Sequence, residues 1–195
     1  MKQNNQQFIN IKNCRLCNSS ELKLLVNFGE VPLGNNLQSN LALSKSVDTF
    51  PLTVMQCRVC NHFQLSVSVS PKLLYATNYT YLSGIGKSFV DHLKGYTDWI
   101  INKINLKPSS LIVDIGSNDG SLLSNFKEKG YKVCGVDPAS KPADIANKKG
   151  IHTYNNFFDE SIVKRIKKNF GEADLVTSQN VLAHVENLQL TFINI

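Results

Sequence analysis

Residues Val113–Leu123, with the sequence VDIGSNDGSLL, carry the clearest indication of the fold. This stretch continues an apolar run and opens a helix-like segment, so it is typical of a turn between a strand and a helix. Asp114, Gly116 and Gly120 keep the D-x-G-x-x-x-G pattern of a nucleotide-binding first turn, where glycine permits a tight turn and close approach. The middle position is Asn118, and asparagine tolerates positive φ better than most residues.

A second acidic residue follows this turn at an informative distance. Asp137 ends the next apolar run, YKVCGVD, about 20 residues after the turn, where a carboxylate can accept hydrogen bonds from ribose hydroxyls. A dinucleotide site usually has glycine at the position of Asn118, which argues against NAD and for a ligand without pyrophosphate. The alternative is a generic doubly wound domain whose acidic residues only cap helices. The turn and Asp137 together predict nucleoside binding.

From residue 109 onward, apolar runs alternate with helix-like segments. The runs SLIVDIG, YKVCGVD, IHTYNN and ADLVTSQNV have the length of strands, and two of the intervening segments end at Gly130 and Gly150. This alternation predicts parallel strands joined by crossover helices. We therefore expect an α/β fold, in which residues 109–195 form a partial, Rossmann-like parallel sheet of about four strands.

Four cysteines form two C-x-x-C pairs in the first third of the chain: Cys14 with Cys17, and Cys57 with Cys60. An asparagine follows each pair, which suggests that the two turns are built alike. Two such pairs can supply four thiolates to one zinc ion in a closed, structural site. The alternatives are unliganded cysteines in strands or a redox pair. The segment between the pairs is too polar to hold itself together, which favours zinc.

The segments before residue 109 carry weaker signals. Residues 1–13 are polar and are expected to form a disordered arm, and residues 14–70 a small, loop-rich zinc-binding domain. Short strands are expected at FPLTVMQC and HFQLSVSV. Residues 71–108 are expected to form a helical linker that Pro108 ends, because apolar side chains recur at helical spacing: Phe89, Leu93, Tyr96, Ile100 and Ile104.

Composition narrows the class of protein. The chain has 195 residues, of which 42% are apolar, and this suits a packed domain plus a small module. The net charge of +6 is spread over several helix-like segments, as on solvated faces, so we expect no nucleic-acid partner. The first residues lack the apolar core of a signal peptide, and no long apolar run is present. We expect a cytoplasmic protein without a membrane span or disulfides.

Taken in succession, the motifs resemble a known family, the class I S-adenosylmethionine-dependent methyltransferases. More specifically, they resemble sugar C-methyltransferases that carry an N-terminal zinc-binding domain. The resemblance rests on CRLC and CRVC, NYTYLSGIGKSFVDH, VDIGSNDGSLL, GVDPA and NVLAHVENL, and it covers nearly everything from residue 14 to about 190. It implies two cofactors, S-adenosylmethionine and a structural Zn²⁺.

The resemblance also implies which residues bind the cofactor. The turn faces the methionine part and the ribose, Asp137 binds the ribose hydroxyls, and NNFF lies beside the adenine. The residues that end the fourth strand lie under the sulfonium. The implied cofactor-binding set is Asp114, Gly116, Ser117, Asn118, Asp119, Gly120, Asp137, Pro138, Asn156, Phe157, Gln179, Asn180 and Leu182.

The usual substrate of the family is a nucleotide-linked keto-deoxysugar, covered by the zinc domain and by the segment 71–108. The implied reaction removes the proton next to the ketone, and the resulting enolate carbon attacks the sulfonium methyl. Tyr79 and Tyr81 match a tyrosine pair near the sugar, and His184 matches a histidine at the edge of the active site. Tyrosine or neutral histidine can hold the developing enolate oxygen. Gly84 departs from the family, which often has a second serine there.

Family members continue through the rest of the sheet into a C-terminal domain, and the principal base, a glutamate–histidine pair, lies in that half. The resemblance therefore implies a truncated chain, with a downstream-encoded C-terminal half as partner. Such a fragment would expose a strand edge and aggregate when alone.

Two other interpretations stay open, an inactive zinc-containing binding module and the remnant of a split gene. Nucleic-acid binding by the zinc module would need a clustered basic face with interleaved aromatics, which the sequence lacks. Without the family context, His184 could simply open a helix. Tyr79 and Tyr81 could equally pack at a domain junction.

Overall fold

The structure, a computed structural model, describes residues 7–76 and 79–195. Residues 1–6 of the expected arm and residues 77 and 78 of the expected linker lie outside the described residues. No helix in the described part of the chain combines the length and the apolar character that crossing a membrane requires. The described residues divide into two compact units, the first comprising those within 7–79 together with 186–189, and the second residues 80–185 and 190–195.

The first unit is built from antiparallel strands. The strands are β1 Phe8–Asn10, β2 Leu22–Pro32, β3 Thr49–Cys57, β4 Phe63–Leu65 and β5 Val67–Val69. Strands β2, β3 and β4 form one sheet in that order, and β1 pairs with β5. A short helix α1, Leu41–Ser44, is capped by Asn40, whose side chain accepts the backbone N–H of Leu43 at 3.0 Å. A π-helical turn spans Lys72–Ala76.

This unit has more strand than the sequence predicted. The expectation of a disordered arm is wrong for residues 8–10, because β1 pairs with β5 and the Phe8 ring packs edge-on against Phe50 at 6.1 Å. Strand β2 also runs through FGEVP, within the domain that was expected to be rich in loops. Gly29 has φ +80°, and the register of β2 and β3 shifts between Asn27 and Glu30, so a bulge accommodates the glycine within the strand.

From residue 111 onward, strands and helices alternate as predicted. The elements from residue 87 onward are α2 Lys87–Ile104, β6 Leu111–Ile115, α3 Ser121–Glu128, β7 Lys132–Val136, α4 Ser140–Lys148, β8 Thr153–Tyr154, α5 Glu160–Phe170, β9 Leu175–Ser178 and α6 Leu188–Asn194. The four strands of the second unit are parallel, in the order β8-β7-β6-β9. Leu182–His184 forms a 3₁₀ turn after β9.

The second unit has buried apolar residues on both faces of its sheet. Ile112 packs with α2 and α3 on one face, through side chains such as Leu93 and Phe126. Its neighbours Leu111 and Val113 pack with residues of α5 on the other face. Successive side chains of a strand alternate between faces, so β6 is buried on both sides, as expected for a parallel sheet.

The linker 71–108 is helical only in part. In α2, Leu93 is buried and Phe89, Tyr96 and Ile100 pack against the core, whereas Ile104 is 44% exposed. The helix ends at Ile104 rather than at Pro108, because Asn105 adopts the left-handed conformation, φ +51°, and its N–H bonds the carbonyl of Ile101. Residues 79–86 form neither helix nor strand.

Candidate cofactor site and metal centre

The four paired cysteines form one cluster in the first unit. The Sγ atoms of Cys14, Cys17, Cys57 and Cys60 all lie within 4.8 Å of one another. The Sγ atoms of Cys14 and Cys60 are 3.6 Å apart, as are those of Cys17 and Cys57. Tetrahedral zinc with Zn–S bonds of about 2.3 Å requires sulfur separations of about 3.8 Å, so the donor set fits zinc closely.

The two turns that carry these cysteines are built alike, as their sequences predicted. In the first, the backbone carbonyl of Cys14 accepts the N–H of Asn18 at 2.8 Å; in the second, the carbonyl of Cys57 accepts the N–H of Asn61 at 3.0 Å. Both asparagines have positive φ, +62° and +61°, which asparagine tolerates. His62, which follows the second pair, is half-buried and is not part of the cluster.

The glycine turn in the second unit has the backbone that its sequence predicted. Gly116, Asn118 and Gly120 have φ values of +71°, +52° and +74°. A Cβ on Gly116 would clash with the Val181 side chain, and a Cβ on Gly120 would lie 3.1 Å from that of Ala146 in α4. The first glycine therefore serves the turn and the close approach of Val181, and the second allows α4 to pack closely.

Asp114 lies on β6 and is 3% exposed. It pairs in register with Thr177 of β9, whose hydroxyl donates a 2.7 Å hydrogen bond to the Asp114 carboxylate. Burial raises the pKa of Asp114 to about 7, the Thr177 hydrogen bond lowers it, and the nearby Asp137 raises it further. A buried carboxyl with this pKa can be ionised by a ligand cation near neutral pH.

Asp137 directly follows β7 and is 5% exposed. Each carboxylate oxygen accepts one backbone N–H at 2.8 Å, from Asn118 in the turn and from Ala139 before α4. Burial raises the pKa of this group, and the two N–H donors counteract that effect. A carboxylate oxygen has two lone pairs, so each can still accept one further hydrogen bond.

Two hydroxyl groups beneath the turn show how closely it lies on the sheet. The Ser117 hydroxyl is buried and has no hydrogen-bond partner among the described residues. Gly135 of β7 lies so close that a Cβ there would clash with Ser117 and would be 2.7 Å from the Thr153 hydroxyl. The glycine therefore makes room for the turn, and the unpaired hydroxyl is a group that a ligand or water can satisfy.

The other predicted cofactor residues lie on loops that follow the parallel strands. Asn156 follows β8, and its side chain accepts the N–H of Phe157 at 2.8 Å. Gln179 and Asn180 directly follow β9, and Asn180 has φ +57°. The half-buried Pro138 and Leu182 follow Asp137 and Val181. All of these loops lie at the carboxyl ends of strands, the edge at which open α/β sheets bind ligands.

The three catalytic candidates lie in less specific surroundings than the predicted cofactor residues. His184 is exposed at the end of the 3₁₀ turn, and its N–H bonds the carbonyl of Val181 at 2.8 Å. Tyr79 belongs to the first unit, where its ring packs on Tyr75 at 5.8 Å. Tyr81 belongs to the second unit and is 50% exposed. Their catalytic roles stay predictions.

Sequence reasoning missed two residues, Tyr96 near Asp114 and Lys149 beside the turn. Tyr96 of α2 was expected only to pack, yet it lies close enough to predicted cofactor residues for them to affect its pKa. Burial and the nearby Asp114 raise the pKa of Tyr96, and Gln179 lowers it. Lys149 forms a 3.2 Å ion pair with the buried Asp119 of the turn. Helical spacing marks a buried face, but it does not show which hydroxyl on that face reaches a strand end.

Comparison with known families identifies the chain. Residues 92–195 match the family described as "Methyltransferase domain", and residues 14–75 match the one described as "Putative zinc binding domain". The chain therefore belongs to the methyltransferase domain family, preceded by a segment of the zinc-binding family. The methyltransferase resemblance that the motifs indicated is confirmed, and so is the α/β class of the fold.

Among curated proteins, the chain is similar to the C-methyltransferase NovU of Streptomyces niveus, with 32% identity over 178 residues. The match covers 91% of this chain and 42% of the relative, so the chain spans less than half of that protein's length.

Solved methyltransferase structures also match part of the chain. One is the magnesium protoporphyrin IX methyltransferase of Synechocystis PCC 6803, with 21% identity and a TM-score of 0.42, over 54% of this chain and 51% of that one. Another is the plantazolicin methyltransferase BpumL, with 17% identity and a TM-score of 0.41, over 52% and 39%.

Proposed function

We propose that the chain is the cofactor-binding part of an S-adenosylmethionine-dependent C-methyltransferase that acts on a nucleotide-linked keto-deoxysugar. The observation that carries this proposal is the pair of buried carboxylates, Asp114 and Asp137, at the ends of adjacent parallel strands on either side of a glycine turn. The similarity to NovU supports carbon as the methyl acceptor. We further propose the division into residues 14–70, 71–108 and 109–195, and a cytoplasmic location, where thiols stay reduced.

The residues present fit S-adenosylmethionine, which supplies an electrophilic methyl group when it is bound. Asp137 has one unused lone pair on each oxygen, matching the two hydroxyls of a ribose. Asp114, with its pKa of about 7, can ionise against the ammonium group of the methionine part. Asn156 and Phe157 would lie beside the adenine, and Gln179, Asn180 and Leu182 beneath the sulfonium.

Zinc in this proposal is structural. Four cysteine ligands complete a tetrahedral shell and leave no position for a substrate. The ion would hold the first unit together.

On the substrate side, Tyr79, Tyr81 and His184 are proposed to orient the sugar and to hold its developing enolate oxygen. A base would take the proton next to the ketone, and the resulting electron pair on carbon would bond to the methyl group as the sulfur–methyl bond breaks, which leaves S-adenosylhomocysteine. A phenol or neutral imidazole donating to the enolate oxygen lowers the barrier to that proton transfer.

Methyl transfer tests this proposal. The zinc-loaded chain would be incubated with S-adenosylmethionine carrying an isotope-labelled methyl group and a nucleotide-linked keto-deoxysugar, and the products would be analysed by NMR. We expect a labelled methyl group bonded to the carbon next to the ketone. Asp137→Asn should abolish the transfer, whereas Asp144→Asn, the same change at an exposed position of α4, should leave it intact.

Transfer of the label to an oxygen would contradict the proposed reaction, and a labelled product that is not a sugar would contradict the proposed substrate. Failure of a folded, cofactor-binding chain to label any sugar would contradict the proposed roles of Tyr79, Tyr81 and His184 in the reaction.

A further inference from the structure

Residues 81–84, with the sequence YLSG and here called the tyrosine segment, are bonded to the glycine turn by two side chains. Asn118 donates its amide N–H to the carbonyl of Tyr81 at 3.0 Å and accepts the N–H of Ser83 at 2.8 Å. Asp119 accepts the N–H of Gly84 at 3.1 Å. The segment is neither helix nor strand, so these three bonds take the place of secondary-structure partners.

The two side chains are themselves held in place. Both are buried, and the backbone N–H of Asn118 bonds the carboxylate of Asp137 at 2.8 Å. Asp119 also accepts the Ser121 hydroxyl at 2.7 Å and pairs with Lys149 at 3.2 Å. One end of this network is therefore the carboxylate proposed to bind ribose, and the other is the backbone on either side of Leu82.

Gly84 shows how tightly the network is packed. A Cβ at this position would lie 2.6 Å from Oδ2 of Asp119 and 2.8 Å from the hydroxyl of Ser121. The carboxylate cannot move aside easily, because Lys149 and Ser121 hold it. The glycine that departs from the resembled family is thus required by the close approach of the segment to the turn.

We propose that Asn118 and Asp119 are positioning residues that tie the tyrosine segment to the cofactor turn, so that the two are ordered together. Asparagine at the middle of the turn then has two uses: it adopts positive φ, and its amide bonds the backbone on both sides of Leu82. The inference rests on the proposed function for what the turn binds. A ligand that orders the turn also orders the backbone of Tyr81. By linkage, an ordered tyrosine segment also favours binding of that ligand at the turn.

Residue-level amide hydrogen exchange, measured by NMR on the zinc-loaded chain, tests the proposal directly. Asn118→Gly keeps positive φ and the N–H to Asp137 but removes the amide. Asn118→Asp also accepts the left-handed conformation and keeps an acceptor for Ser83. We expect exchange at Ser83 to become about tenfold faster or more in Asn118→Gly, from loss of one hydrogen bond, and to stay within about threefold of wild type in Asn118→Asp.

Gly84 supplies a second, independent pair of variants. Gly84→Ser should accelerate exchange of the backbone N–H groups at positions 83 and 84, because the new Cβ displaces the segment. Gly86→Ser is the matched control: its Cβ would lie 3.9 Å from that of Phe89, and serine suits the position, which caps α2. It should leave both rates within about twofold of wild type.

Addition of S-adenosylhomocysteine completes the test. Binding should slow exchange at Ser83 in wild type and in Asn118→Asp but not in Asn118→Gly. Unchanged exchange at Ser83 in Asn118→Gly, or equal acceleration throughout the turn in both Asn118 variants, would overturn the positioning role. Binding that leaves Ser83 unaffected would overturn the coupling. Absence of binding refutes the proposed function and the coupling, while the ligand-free comparison still decides the positioning role.

Discussion

The two compact units of this chain are stabilised in different ways. The second unit buries apolar residues on both faces of a parallel sheet. In the described part of the first unit, Phe50 and Val67 are the buried apolar residues outside the cysteine cluster, and β2 is exposed along most of its length. A small domain with so little core needs a staple, and its sequence provides four thiols within 4.8 Å of one another.

The same backbone conformation of asparagine serves different ends in the two units. The asparagines that follow the cysteine pairs and the asparagine of the glycine turn all have positive φ. In the first unit this geometry brings thiols together. In the second it places two carboxylates beside a turn that lies on a packed sheet, where burial shifts their pKa values.

Metal removal should produce the largest difference between the units. Structural zinc contributes on the order of 10 kcal/mol in small domains, more than the first unit's core can replace. Chelation, or Cys57→Ser, should therefore unfold residues 7–76 and leave the sheet of the second unit protected in hydrogen exchange.

Zinc content measured by mass spectrometry provides the control. Cys134→Ser, the same substitution at a buried position outside the cluster, should keep one zinc ion per chain. An intact first unit in the metal-free protein would contradict the account of how this unit is stabilised.

Truncation of a core side chain in the second unit should destabilise that unit and leave the zinc site of the first unit intact. Phe126 is fully buried in the second unit, so Phe126→Ala should lower the free energy of unfolding of that unit by about 3–5 kcal/mol, with zinc content unchanged. Phe192→Ala, at a 56% exposed position, should cost less than about 0.5 kcal/mol. Urea denaturation followed by circular dichroism measures both, and equal costs would show that the core has been misassigned.

The smallest expected effect per pH unit is the contribution of Asp114 to the pH dependence of stability. Asp114 has a pKa of about 7 in the folded chain against an ordinary value of 3.8. Between these values the unfolded chain loses a proton that the folded chain keeps, so the free energy of unfolding falls as pH rises and levels off above about pH 7. The slope contributed by one group is at most about 1.4 kcal/mol per pH unit.

Asp114→Asn should remove that part of the slope, and Asp144→Asn, on the exposed side of α4, should not. Urea denaturation at several pH values measures the difference. Parallel curves for wild type and Asp114→Asn would contradict the raised pKa.

Local patterns predicted much of this structure. The alternation after residue 109 indicated the four parallel strands, the cysteine spacing indicated the cluster, and Asn118 was expected to tolerate positive φ. The hydrogen bond between Asn118 and Tyr81 spans 37 positions and joins side chain to backbone, so no local period could reveal it. The bulge at Gly29 was missed because glycine in sequence signals a loop as readily as an irregular strand.

Calorimetric titration of the zinc-loaded chain with S-adenosylhomocysteine tests the central claim, that the carboxylates beside the turn form a cofactor site. We expect the wild-type chain to bind the ligand. Asp137→Asn should weaken binding at least about tenfold, because it removes hydrogen bonds to a charged group. Asp144→Asn should leave the affinity unchanged. A folded chain that does not bind the ligand, or that binds it equally well in Asp137→Asn, would contradict the account.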